Sequence, residues 1–268
     1  VFSGIPNERE KLVHYGEWLV ADRGLLYLVQ ILVGDFTEYS KRQPAAEQRL
    51  RQFCAERDIE AFPVVVVEES VRRGAAMAMQ ALQIGPLRPN LVLLGWPRTP
   101  VAGETVLPSL FRVGHALDMS LCVVRGGHAA EHAGTRQIDV WWRGMTNGNL
   151  MLLLAHLLGT NPEWEQSGIR LLRVVQREQA REGTLKDMRN ILDEARVRAE
   201  PVVLVRETPF AEVLREESGG ADAVFLGFNP PAEDPEAERA WFEQYGGFLF
   251  DGPTFVLVNA SGQEDVMA

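Results

Sequence analysis

The chain has 268 residues, 46% of them apolar, which is enough for one large α/β domain or two smaller ones with cores of their own. Its 37 acidic residues outnumber the 27 basic ones, and the formal charge of -10 repels nucleic acid and anionic lipid, which excludes nucleic acid as an expected partner. The two cysteines, Cys54 and Cys122, are too few for a disulfide framework and lack metal-ligand spacing, which suits a reducing compartment.

Residues 7–21 place Leu12, Tyr15, Trp18 and Leu19 on one helical face, with Gly24 as the stop signal. The continuous apolar run 25–33 ends in Gly34-Asp35 and predicts a parallel strand buried on both faces. Then follow a helix over 45–56, a strand over 62–68, and a helix over 71–84 with Val71, Ala75, Met79 and Leu82 turned inward. A strand at 90–96, a loop at 97–104, a helix at 106–117 and a strand at 120–124 complete a first βα series.

Residues 126–137 are small, polar and glycine-rich and predict a connector between a first subdomain at 1–125 and a second at 138–268. Strands are predicted at 138–142, 169–175, 201–205, 223–227 and 254–259, with helices near 149–158, 184–196, 209–217 and 235–245. The last helix has a clear start, Asp234 as cap and Pro235 at the first helical position. Two stretches echo each other, Arg88-Pro-Asn-Leu-Val-Leu-Leu-Gly-Trp-Pro97 and Gly220-Ala-Asp-Ala-Val-Phe-Leu-Gly-Phe-Asn-Pro230, which suggests two related subdomains. The expected fold class is α/β, with mostly parallel sheets flanked by helices. The apolar run 149–158 is about half the length a membrane helix needs. With Val1 in place of methionine and no signal peptide, the sequence reads as a piece of a longer protein.

The common nucleotide-binding, hydrolase and zinc-protease motifs do not occur. His128 and His132, four apart beside Glu131, have metal-ligand spacing on a helix, but a glycine-rich connector makes them solvated loop residues. His115 and Asp118 are three apart on a predicted helix, where a surface pair outweighs an acid–base pair because no nucleophile accompanies them. His156, within a leucine-rich helix, reads as a core or interface histidine. The expectation is therefore no enzyme, no catalytic residue, no metal and no cofactor. Loops beyond the carboxyl ends of parallel strands are the usual ligand positions. Here they are proline-stiffened, Trp96-Pro-Arg-Thr-Pro100 and Phe228-Asn-Pro-Pro231, with Arg98 and Thr99 as the anion or nucleotide candidates. Adjacent Trp141 and Trp142 point to opposite faces of a strand; with Leu150 and Leu153 they are the interface candidates.

At Ile138-Asp-Val-Trp-Trp142, followed by Gly148 and the leucine-rich run 150–158, the chain resembles the C-terminal cytosolic domain of the cation–chloride cotransporter family, in a bacterial form. Arg88 to Trp96 and Gly24-Leu-Leu-Tyr-Leu28 are similar to further segments of that family. The resemblance implies two subdomains like the universal stress proteins, attached to a membrane domain of the amino-acid–polyamine–organocation superfamily. It also implies a homodimer at the cytoplasmic face of the cell membrane that regulates the transport of chloride with sodium or potassium and transports nothing by itself. Where the family has an acidic, glycine-rich turn, this chain has Arg143-Gly-Met-Thr-Asn-Gly-Asn149. The second functional expectation is a nucleotide-binding sensor of stress-protein type, although neither half carries the glycine-spaced loop with which such proteins hold ATP.

Overall fold

The computed structural model describes residues 1–2, 4, 9–21, 23–97, 106–126 and 135–262. The chain divides into two compact units, residues 1–123 with 230–239, and residues 124–229 with 240–268.

In the first unit the order is α1 (Glu10–Val20), β1 (Tyr27–Val33), α2 (Phe36–Tyr39), α3 (Gln43–Glu56), β2 (Phe62–Glu68), α4 (Val71–Leu82), β3 (Leu91–Gly95), α5 (Leu107–Ala116) and β4 (Ser120–Arg125). The short α2 was not signalled by periodicity; Asp35 starts it by accepting the Glu38 amide. β1 and β2 pair in parallel from Tyr27–Phe62 to Val33–Glu68. Phe2 bridges to Val29 in parallel and donates its amide to the Leu93 carbonyl at 3.1 Å, which places it between β1 and β3. β4 lies beside β3. Leu121, Cys122 and Val123 of β4 are fully buried. α1 and α3 close one side of the core through Val13, Leu28, Phe53 and Ile59. α4 lies close against β1, since a Cβ on Gly74 would stand 2.6 Å from Ile31.

The second unit runs β5 (Gln137–Trp141), α6 (Met145–Gly159), β6 (Gly168–Val175), α7 (Arg181–Ala195), β7 (Glu200–Val205), α8 (Phe210–Ser218), β8 (Ala223–Gly227), α9 (Pro235–Phe248) and β9 (Thr254–Asn259). All its strand pairs are parallel. Their order is β9-β8-β5-β6-β7. Strand and crossover helix alternate, so both sheet faces are covered. Asp234 caps α9 by accepting the amides of Glu236 and Ala237, as expected from the Asp-Pro pair.

The sequence echo is structural. β3 and β8 each hold the apolar run, each ends at its glycine, and each precedes the last strand of its series. The second unit has one strand more, β5, which lies between β6 and β8; among the described residues of the first unit, Phe2 takes that place between β1 and β3. β2 flanks β1 as β7 flanks β6.

Both outer strands carry a proline at their second position. The Phe62 amide donates to Leu26, and the Arg206 amide donates to Val175. By alternation, Pro63 and Val65, like Pro201 and Val205, face away from the neighbouring strand. Pro63 and Pro201 therefore offer no N–H at the edge. The outward carbonyl of Val65 accepts from Gln43, and that of Val205 accepts from Arg206. These are guarded edges.

Three expectations need correction: the first is Val71, which is exposed at the start of α4 and not turned inward. Met145 to Asn149 is the first turn of α6 and not a loop, because Gly148 lets the Trp142 ring lie directly on the helix. Asp118 is not on the same helix as His115: α5 ends at Ala116, and Asp118 lies beyond it in the left-handed region with φ 53°.

Candidate functional site

Asp139 is a carboxylate with no exposed surface in the middle of an apolar strand. Burying such a charge is costly unless a partner and hydrogen bonds compensate it. Arg170, directly opposite in the β5–β6 register, supplies both. Its Nε reaches Oδ1 at 2.8 Å and its Nη2 reaches Oδ2 at 2.7 Å, a bidentate pair. Ser218 donates to Oδ2 at 2.6 Å and accepts from Trp141 Nε1 at 3.0 Å. Arg170 also donates to the Glu217 carbonyl at 2.8 Å, so the last turn of α8 is tied to β5 and β6. The hydrogen bonds that it donates to Asp139 hold the Arg170 guanidinium still more firmly in its charged form, against the opposing effect of burial.

Trp141 and Trp142 are both buried, one on each face of the sheet. Trp141 turns its indole to Ser218 and meets the edge of Phe210 at 5.1 Å. Trp142 lies on α6, where a Cβ at Gly148 would come within 2.6 Å of its ring. An aromatic chain continues from Phe210 to Phe248, Tyr245, Trp241 and Phe228. Burial pushes the Tyr245 hydroxyl above its ordinary pKa, partly offset by a hydrogen bond to the Asn229 backbone.

The crevice between β5 and β8, where strand connections diverge to opposite sides, is the usual ligand position in such a sheet. Here Asn147 is placed at the strand ends. Its Nδ2 donates to the Phe228 carbonyl at 2.9 Å, and its Oδ1 accepts the Ala260 amide at 3.0 Å. Asn259 donates to the same Phe228 carbonyl at 3.1 Å. A Cβ on Gly227 would stand 3.0 Å from that of Asn147, so glycine is what permits this approach. The groups assembled here are amides, backbone and aromatic rings. They fasten strand ends to α6, and they are not an acid, a base and a nucleophile.

Of the interface candidates, Trp141, Trp142 and Leu150 are buried within the second unit, while Leu153 is half-buried on α6. His156 is exposed on the same helix, not a core residue. Arg98, Thr99, His128, Glu131 and His132 lie outside the described residues. Among the described residues no cluster of three or more His, Cys, Asp or Glu has metal-binding geometry, and no helix is long and apolar enough to cross a membrane. Sequence reasoning missed the roles of Asp139, Arg170, Ser218 and Asn147. A signal was present for the first two: opposite charges at the third position of each of two consecutive apolar strands, β5 and β6.

Two units of alternating strand and helix on a mostly parallel sheet give a fold like that of the universal stress proteins. The fold matches a universal stress protein from Archaeoglobus fulgidus with TM-score 0.59 at 11% identity, covering 94% of this chain and 93% of that one. It also matches the cytoplasmic domain of a prokaryotic cation chloride cotransporter with TM-score 0.66 at 15% identity, covering 98% and 95%. The chain belongs to solute carrier family 12, whose family model matches residues 9–125 and 128–214. It is similar to cation-chloride cotransporter 1 of Arabidopsis thaliana, 27% identical over 195 residues, and its match spans 69% of this chain and 20% of that protein's length.

Proposed function

We infer that this chain is the cytoplasmic domain of a cation–chloride cotransporter, a regulatory and dimer-forming module at the inner face of the membrane. It works on a transmembrane domain of the same protein and itself neither transports nor catalyses. The observation that carries this reading is the family match over 9–125 and 128–214, which takes in the β5 motif with its buried Asp139–Arg170 pair. A structural match over 98% of this chain to a cytoplasmic domain of that kind supports it. For the second unit, Asn147 weighs against the nucleotide-sensor alternative, because its amide group at the strand ends is already engaged by the Phe228 carbonyl and the Ala260 amide.

The reading is tested by sedimentation of the chain across a micromolar concentration series, with and without ATP. A dimer indifferent to ATP is expected. A monomer at every concentration removes the dimer from the proposal, and ATP-driven assembly or a thermal shift with ATP replaces it by nucleotide sensing. For the regulatory part, full-length transporter with and without this domain is compared for chloride flux in proteoliposomes. Altered flux is expected, and unchanged flux refutes regulation.

A further inference from the structure

The chain holds a single Asn-Gly pair, Asn147-Gly148. With no Cβ on the second residue, nothing crowds its backbone nitrogen as it approaches the asparagine side chain, so this dipeptide is the one most open to succinimide closure. In this protein the pair lies in the first turn of α6.

The fold shuts this chemistry off. A helical backbone turns the Gly148 nitrogen away from Asn147 Cγ, and the Gly148 amide is engaged by the Gly144 carbonyl at 3.2 Å. Asn147 is tied at both ends of its amide group, through Nδ2 to the Phe228 carbonyl and through Oδ1 to the Ala260 amide. All these residues belong to the second unit. The shield is thin on its outer side. The bond from Gly148 to Gly144 is the first rung of the helix ladder and stands at the long end of the range for such bonds. Gly144 gives no side-chain cap, and residues 143–146 are exposed. Helix ends of this kind open at low cost.

We propose that Asn147 is a latent deamidation site, closed by the first turn of α6 and reached when that turn opens, whose isoaspartyl product cannot rebuild the turn. In the open turn the Gly148 amide nitrogen gives up its proton to hydroxide and attacks Asn147 Cγ. The new C–N bond closes the ring as the Cγ–Nδ2 bond breaks and ammonia leaves. Water then opens the ring at either carbonyl to give aspartate or isoaspartate, and nothing is oxidised or reduced. Isoaspartate carries the main chain through its side-chain carbon, so the backbone gains a methylene and the Gly148 amide falls out of register with the Gly144 carbonyl. Either product has also lost the Nδ2 donor to Phe228.

The proposal stands apart from the functional reading above. It is tested on the 268-residue chain held at neutral pH, folded and in denaturing urea. The tryptic piece 144–170 is followed by mass spectrometry, with fragmentation to tell Asn147 from Asn149 and Asn161. Conversion of Asn147 in the folded chain is expected to be about tenfold or more slower than in urea, the factor for an opening of about 1.4 kcal/mol. The slowing should match that of hydrogen exchange at the Gly148 amide, which needs the same opening. In the separated isoaspartyl chain that amide should exchange about fivefold faster, the factor for one hydrogen bond of about 1 kcal/mol. Three results overturn the proposal: equal conversion in folded and unfolded chain, slowing that follows the β5 amides and global unfolding instead of Gly148, or an isoaspartyl chain whose Gly148 exchange is unchanged.

Discussion

Trp142 and Gly148 are fitted to each other: the indole lies where the glycine has no side chain, and a Cβ there would come within 2.6 Å of Cζ3. The contact fixes the start of α6 against the strand that carries the family motif. Gly148→Ala is expected to destabilise the chain by about 1–3 kcal/mol through overpacking, even though alanine is the better helix former. Urea denaturation measures this. Combining it with Trp142→Leu should recover part of the loss, and strictly additive effects would show that the two residues do not interact.

The Asp139–Arg170 pair makes an asymmetric prediction. Arg170→Ala leaves a fully buried carboxylate without its cation, at a cost of about 3–5 kcal/mol. The double variant Asp139→Ala with Arg170→Ala removes the stranded charge and should cost less than Arg170→Ala alone. Equilibrium unfolding of the two variants decides the point, and a double variant that is the less stable of the two contradicts this account.

Asn147→Leu removes the acceptor of the Ala260 amide and one of two donors to the Phe228 carbonyl. The expected loss is about 1–3 kcal/mol for polar groups left without partners. Hydrogen exchange locates it: the Ala260 amide should exchange faster, while amides in β6 and β7 stay protected.

Stability should decline in alkali. Burial raises the Cys54 thiol pKa, with Glu17 adding to the effect, and burial likewise raises that of Tyr245. In both cases the folded pKa lies above the unfolded one. As pH rises past the ordinary cysteine range and then the tyrosine range, the unfolded chain releases protons that the folded chain keeps, and folding is disfavoured. Melting temperatures taken between neutral pH and pH 10.5 or so should fall. Cys54→Ala should reduce the early part of the fall and Tyr245→Phe the later part.

The alternation of elements, the echo between the halves and the cap at Asp234 were legible because each rests on a local pattern: a period, a repeated string or a dipeptide. The start of α6 was not, since Gly-Met-Thr-Asn-Gly reads locally as a turn and becomes helix only when Trp142 covers Gly148. The Asp139 network was only half visible. Opposite charges in two apolar strands hint at a pair, but the Asp139–Arg170 register, the Ser218 hydroxyl and the Glu217 carbonyl come together only in the folded sheet. Asn147 gave no signal, because its partners lie 81 and 113 residues away along the chain.

Pro63 and Pro201 have a consequence for assembly. An outer strand can recruit a further strand only by offering a ladder of alternating donors and acceptors. Each of these edges lacks a donor at its proline and has a carbonyl already engaged by a side chain. At these two rims the sheets have no valence for growth. Contacts with other chains are left to helix faces and loops, where side chains set specificity and association can reverse, rather than to backbone pairing, which would propagate from one molecule to the next.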